Sequence, residues 1–203
     1  MTEVVNVYLV RHGKTLGEPG LYGHTDIAVA EPEQQAICSK LIAKQWSVEQ
    51  VVTSPLKRCH DLAELYGKSA NCAVRIAPEF KEMNFGDIDG VPFDTIQSQW
   101  PLLERFWQAP AETQLPNAET LQEFNTRITT GWQQFVTDVE QDTLIICHGG
   151  TIRMILASLL PLDWRSSELY SVLQIRHQSY SHIQIIKADA IYPRVCAIGA
   201  ELG

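Results

Sequence analysis

The chain has 203 residues, 45% of them hydrophobic and 20% charged, which suits one globular domain with a sizeable core. Sixteen basic against twenty-four acidic residues give a net charge of -8. That balance excludes a nucleic-acid binder and a polybasic membrane adhesin, since both need a cationic face. The N-terminus MTEVVNVYLV lacks a basic leader and a cleavage site, and no apolar run reaches membrane-spanning length. Cys38, Cys59, Cys72, Cys147 and Cys196 are scattered and form no CxxC pair. Neither a disulfide framework nor a zinc site is signalled, and each is expected to be a small buried hydrophobe in a reducing cytoplasm.

In chain order, VVNVYLV (4–10) is rich in β-branched residues and stops at Arg11-His12-Gly13, so it reads as a buried strand. Residues 14–30, with their glycines and a proline, read as a loop. A helix is expected over 33–45 after Pro32, with Ala36, Ile37, Leu41 and Ile42 at helical spacing. VEQVVTS (48–54) is a second strand, followed by Pro55 at the start of a helix carrying Arg58. CAVRIA (72–77) is a third strand.

Residues 78–118 contain five prolines, at 78, 92, 101, 110 and 116, and read as an irregular, lid-like insertion. Its aromatics Phe93, Trp100, Phe106 and Trp107 predict short helices packed on the body. A long helix follows over 119–141, with Leu121, Phe124, Ile128, Trp132, Phe135 and Val139 on one face. TLIICH (143–148) is a strong buried strand ending in His148-Gly149-Gly150, and TIRMILASLL is a helix closed by Pro161. SVLQIR (171–176), SHIQIIKA (181–188) and RVCAIGA (194–200) predict strands near a sheet edge. Alternating strands and helices define one α/β domain over 1–203. Its expected form is a three-layer sandwich with a mostly parallel central sheet flanked by helices.

Ligands bind such sheets at the carboxyl ends of the strands. Three strands here end in loaded turns: Arg11-His12-Gly13, Ser54-Pro55 before Arg58, and His148-Gly149-Gly150. If they lie side by side, two guanidiniums and two imidazoles converge. The guanidiniums supply bidentate donors for phosphate oxygens, and the glycines admit backbone N–H groups close to an oxyanion. Nearby Arg charges disfavour a protonated imidazole, so His12 is the candidate nucleophile and His148 a donor to the transferring phosphoryl group. A leaving alkoxide needs an acid, and Glu82 beside Met83 and Phe85 is the candidate. The bland readings are a surface turn for Arg11-His12 and a solvated loop carboxylate for Glu82. No HxH or HExxH spacing supports a metal site.

RHG at 11–13, SPLKR at 54–58, EMNFGDIDG at 82–90 and HGGTIR at 148–153 together resemble the histidine phosphatase superfamily, also called phosphoglycerate-mutase-like. The resemblance implies that fold, a phosphohistidine on His12, and a phosphate pocket of Arg11, Arg58 and His148. It also implies Glu82 as acid and then base, with no metal or organic cofactor. Gly149, and Thr25 in the loop after the nucleophile, are implied as further phosphate contacts. The chain departs from the family at Lys14 and Glu18, at Cys59 beside the pocket arginine, and at Ala118-Glu119-Thr120. His60 reads equally as a site residue and as a solvated helix residue.

Within the superfamily the chain is most similar to the α-ribazole phosphatases, through EMNFGDIDG, LPNAETLQEFNTRI, HGGTIRMILASLL and RVCAIGAE. That branch implies removal of the 5′-phosphate from α-ribazole phosphate or from the phosphorylated cobalamin precursor. Between Pro92 and Pro116 the only cation is Arg105, which disfavours a mutase holding a second anionic group. A broad-specificity sugar phosphatase, a phosphoglycerate mutase and a non-catalytic phosphate-binding module remain the alternatives. The expected partner is a small phosphate ester, and a homodimer stays open.

Overall fold

Period-two alternation in the first strand decides the architecture. In β1 (Glu3–Arg11), Val5, Val7 and Leu9 are buried on one side and Tyr8 and Val10 on the other, so both faces of the strand are covered. The computed structural model, which describes residues 2–203, continues with α1 (Glu31–Ala43), β2 (Gln50–Thr53), α2 (Lys57–Ala70) and β3 (Ala73–Ile76). After the proline-rich segment, which contains α3 (Trp100–Gln108), come α4 (Leu121–Asp138), β4 (Thr143–Cys147) and α5 (Gly149–Leu159). A single-turn α6 (Glu168–Ser171) and the hairpin β5 (Ser179–Lys187) and β6 (Ile191–Glu201) complete the chain.

The six strands form one sheet in the order β3-β2-β4-β1-β5-β6. The first four are parallel, β5 runs antiparallel to them, and β6 pairs antiparallel with β5 and so points the same way as the first four. Helices α1 and α2 cover the face carrying Tyr8, Val10, Leu144 and Ile146. Helices α4 and α5 and the proline-rich segment cover the face carrying Leu9, Val52, Ile145 and Cys147. This is the expected three-layer α/β sandwich with a mostly parallel sheet.

Register positions the site. All five residues of β4 are buried, because the strand lies between β1 and β2 with helices on both faces. Arg11 pairs with Cys147 and Thr53 with Ile146. One residue further on, the His12 N–H donates to the Cys147 carbonyl at 3.2 Å and the Ser54 N–H to the Ile146 carbonyl at 3.1 Å. The three loaded turns therefore leave adjacent strands at the same level.

Local chemistry explains two helix ends. The Thr120 hydroxyl accepts from the Glu123 N–H at 3.1 Å, and the Glu123 carboxylate accepts from the Thr120 N–H at 2.8 Å. This capping box starts α4 at Leu121, two residues later than expected. Asn71, left-handed at φ 55°, closes α2.

Three expectations need correction. SVLQIR (171–176) is not a strand: Ser171 ends α6, and the carbonyls of Leu173 and Ile175 accept from Arg153 and Arg11 side chains instead of from a ladder. Strand β6 starts at Ile191 rather than at Arg194, because Ile191–Pro193 pair with Ile185–Lys187. The cysteines are all free, but Cys196 stands exposed on this edge strand and Cys72 is only half-buried.

Residues 78–118 hold four short 3-10 turns besides α3. Phe80, Met83, Ile88, Leu103, Phe106 and Leu115 from this segment lie in the core. Trp100 and Trp107 stay near the surface, edge-to-face with Phe93 and with each other at 5.5 to 6.0 Å. No helix among the described residues is long and apolar enough to cross a membrane.

Candidate active site

His12, one residue beyond β1, is buried, and its Nδ1 lies 2.7 Å from the Gly13 carbonyl oxygen. A carbonyl only accepts, so Nδ1 carries the proton and Nε2 the lone pair. Burial first, then the charges of Arg58 and Arg11, hold its pKa well below the ordinary 6.5. The imidazole is therefore neutral near pH 7. The His148 ring stands edge-on at 5.2 Å between centroids.

Arg58, from the first turn of α2, is completely buried. Its Nη1 donates to the Thr25 carbonyl at 2.9 Å, and Nη2 donates to the carbonyls of Tyr22 at 3.0 Å and Gly23 at 2.5 Å. Its Nε donates to His148 Nδ1 at 3.2 Å. The same loop is held from its other side by Asp89, whose carboxylate accepts the N–H groups of Gly23, His24 and Thr25 and also that of Phe85. Desolvation works to raise the pKa of this carboxyl, but these hydrogen bonds outweigh it and the net shift is downward. Cys59 fills the space beside His148, with Sγ 3.6 Å from Nε2. Burial keeps that thiol protonated.

Arg11 turns its guanidinium back along the sheet edge. Its Nη1 donates to the Ile175 carbonyl at 2.6 Å and its Nη2 approaches His177 Nε2 at 3.3 Å. The buried Nε–H of Arg11 has no partner among the described residues. A buried N–H of this kind calls for an acceptor that the fold itself does not supply.

Glu82 reaches the start of α5, where its Oε2 accepts the Gly150 N–H at 2.9 Å and its Oε1 that of Met83 at 3.1 Å. A Cβ on Gly150 would lie 2.2 Å from Glu82 Oε1, so only glycine leaves this carboxylate its place. The segment bearing Glu82 is clamped from α4. Arg127 donates to the carbonyls of Glu79, Lys81 and Glu82 and forms a two-point pair with Glu119, at 2.9 and 2.8 Å.

A cavity of about 450 Å³ opens in front of His12, lined by Arg11, Lys14, Glu18, Leu21, Tyr22, Glu82, Phe85 and His177. A second cavity of about 190 Å³ shares Leu21, Glu82 and Phe85 with it. That one is otherwise walled mainly by Met83, Phe106, Trp107, Leu121, Phe124, Arg153 and Tyr170.

The structure thus brings Arg11, His12, Arg58, Glu82, His148 and Gly149 together. Thr25 stands apart, since its hydroxyl donates to the Asp89 carbonyl at 3.0 Å and only its own carbonyl reaches toward the site, as an acceptor for Arg58. His60 lies on the outer face of α2 beside Asp61 and Glu64, away from the site. Four contributors were not singled out from sequence: His177, Asp89, Arg127 and Arg153. Asp89, Arg127 and Arg153 lie inside quoted motifs. His177 lies beyond the segment read as a strand, and Arg127 reads as an ordinary helix-surface cation.

A neutral imidazole with a bare nitrogen, two guanidiniums and a carboxylate at the carboxyl ends of a parallel sheet define a phosphoryl-transfer class of protein. A family model described as histidine phosphatase superfamily (branch 1) matches residues 7–191. The chain belongs to the histidine phosphatase superfamily. The uncharacterized phosphatase PhoE of Bacillus subtilis (strain 168) is 31% identical over 157 residues, covering 75% of this chain and 76% of that one. The probable phosphoglycerate mutase GpmB of Escherichia coli O139:H28 (strain E24377A / ETEC) is 25% identical over 191 residues, 89% of this chain and 85% of its own. The solved α-ribazole phosphatase from Shigella flexneri has the same fold, with a TM-score of 0.77 at 22% identity over 97% of this chain and 98% of that one.

Proposed function

We propose that the chain is a phosphomonoesterase working through a phosphohistidine on Nε2 of His12. One observation carries the reading: the bare Nε2 shares its cavity with Arg11, whose buried Nε–H lacks an acceptor that a phosphoryl oxygen would provide. Arg11, Arg58, His148 and the backbone N–H of Gly149 bind the phosphoryl group, and Glu82 serves the ester oxygen. Thr25, its hydroxyl already engaged, acts by presenting its carbonyl to Arg58.

The Nε2 lone pair attacks phosphorus, the P–O ester bond breaks, and its electron pair leaves on the alcohol oxygen, which takes the proton of Glu82. Water then attacks the phosphohistidine and gives its proton to the Glu82 carboxylate. The P–N bond breaks, restoring the lone pair of Nε2 and releasing orthophosphate. His148 has its Nε2–H on Ser54 Oγ at 2.8 Å and, in this mechanism, donates it to a phosphoryl oxygen.

The substrate proposed is α-ribazole 5′-phosphate or the phosphorylated cobalamin precursor, in the cytoplasm. Support comes from the fold shared with the Shigella α-ribazole phosphatase and from an apolar cavity beside Glu82 suited to an aromatic base. Residues 78–118 supply one wall of that cavity, through Met83, Phe85, Phe106, Trp107 and Pro110. The likeness to GpmB favours mutase activity as the second reading. Arg105, the one cation between positions 92 and 116, is exposed and lines neither cavity, which supports hydrolysis over transfer to a second anionic sugar acid.

Rapid-quench labelling should trap an acid-labile phosphoprotein that His12→Ala abolishes. Steady-state rates on α-ribazole 5′-phosphate should exceed those on sugar phosphates, with no isomerisation of 3-phosphoglycerate. Failure to label or to hydrolyse any phosphomonoester overturns the reading.

A further inference from the structure

The HGGTIR turn carries a third arginine that the phosphoryl chemistry does not use. Arg153 sits one turn into α5 and donates through Nε to the Leu173 carbonyl at 2.9 Å. No hydrogen bond among the described residues engages its two amino groups. The residue lines the second cavity together with Phe85, Phe106, Trp107 and Tyr170.

Gly149 explains how this guanidinium comes so close to the reaction centre. A methyl group there would lie 3.2 Å from Arg11 Cζ and 3.2 Å from Arg153 Nη1. Two like charges therefore flank the first residue of α5, one on the nucleophile's side and one on the side of the apolar cavity. Glu82 and Gly150 line the same cavity as Arg153. An alcohol leaving from Glu82 has this cavity as its apolar way out, with a forked cation at its side.

We infer that Arg153 is a specificity-determining residue. It hydrogen-bonds an acceptor, such as a carboxylate, carbonyl or ring nitrogen, on a flat and otherwise apolar leaving group seated against Phe85 and Trp107. The inference rests on the phosphomonoesterase reading for where the ester sits. It adds a chemical requirement on the alcohol that this reading does not contain. A merely structural Arg153 would need only its Nε–H, and losing it would loosen residues 173–175 and with them Arg11, slowing every ester alike.

Matched substrates separate the two roles: 6-carboxy-2-naphthyl phosphate carries the acceptor and 2-naphthyl phosphate lacks it. The wild type should prefer the carboxylated ester, and in Arg153→Met the ratio of the two kcat/KM values should fall about tenfold or more, as for loss of a charge-assisted hydrogen bond. Arg153→Lys, which keeps charge but not the fork, should fall between. The alcohols alone give a test independent of turnover: 6-hydroxy-2-naphthoate should quench Trp fluorescence at lower concentration than 2-naphthol in the wild type, and this gap should close in Arg153→Met. An unchanged ratio and an unchanged gap overturn the inference while leaving hydrolysis intact. Quenching that follows the expected pattern without any turnover supports the subsite and overturns the phosphomonoesterase reading instead.

Discussion

Arg58 Nε donates to His148 Nδ1 across 3.2 Å, and because a guanidinium cannot accept, this contact sets the tautomer of His148. The ring's remaining N–H is thereby placed on Nε2, where it meets Ser54 Oγ. The other side of the same guanidinium holds the carbonyls of Tyr22, Gly23 and Thr25. A lysine keeps the charge but has three donors on one atom and cannot span four acceptors. Arg58→Lys is expected to lower kcat by about a hundredfold, the scale of one lost preorganised donor. It should also speed amide exchange over residues 20–25. Exchange and kcat both close to wild type would refute this double role.

Glu82 and Gly150 make a second pair with a direct test. The Gly150 N–H holds the carboxylate, and a side chain at 150 would take its space. Gly150→Ala should therefore behave like Glu82→Gln, slowing esters of poorly acidic alcohols far more than activated aryl phosphates. General acid catalysis is worth roughly 10²–10⁴-fold, so alkyl esters should lose about that much while p-nitrophenyl phosphate loses several-fold. Equal loss on both classes in Glu82→Gln would rule out Glu82 as the acid.

The clamp behind Glu82 should be separable from its chemistry. Arg127 and Glu119 are largely shielded, with side chains 24% and 14% exposed, and together they tie α4 to the backbone at 79, 81 and 82. Removing one partner leaves the other charge shielded and unpaired, which costs about 3 kcal/mol. Arg127→Met should lower the urea midpoint accordingly and impair alkyl esters more than aryl ones, since Glu82 loses its mount. Glu119→Gln, which retains acceptor and shape, should cost less of both. An Arg127→Met protein of unchanged midpoint would show the clamp to be idle.

The strand tips were legible because the apolar runs VVNVYLV and TLIIC have one reading in an α/β sheet, and such sheets bind ligands at their carboxyl ends. The core stripe of α4 was legible for a similar reason, its apolar positions recurring at helical spacing. What stayed hidden depends on partners far along the chain. Asp89 looks like one more loop acid until residues 23–25 are seen to lay three N–H groups on it. His177 contributes through Arg11, 166 residues away, and through the His12 carbonyl. The SVLQIR misreading has the same origin: its β-branched and apolar content fits a strand, but arginine side chains take up the carbonyls of Leu173 and Ile175.

The buried imidazoles make an acid-sensitive fold and an acid-tolerant nucleophile. Desolvation is the leading cause for both His12 and His148, with the Arg charges next, and both folded-state pKa values lie well below 6.5. Between 6.5 and those values the unfolded chain binds more protons than the folded one. Stability is therefore fully present above about pH 6.5 and lost as pH falls, by about 1.4 kcal/mol per pH unit for each such imidazole. Asp89, with its depressed pKa, adds a similar loss only below about pH 4, the ordinary carboxyl range. Urea midpoints should drop from about pH 7 to pH 5, and His12→Asn combined with His148→Asn should flatten that slope. In the same window kcat/KM should show no acid limb near 6.5, because His12 stays unprotonated there. An acid limb at 6.5, together with a flat wild-type stability profile, would show that neither imidazole is held neutral by burial.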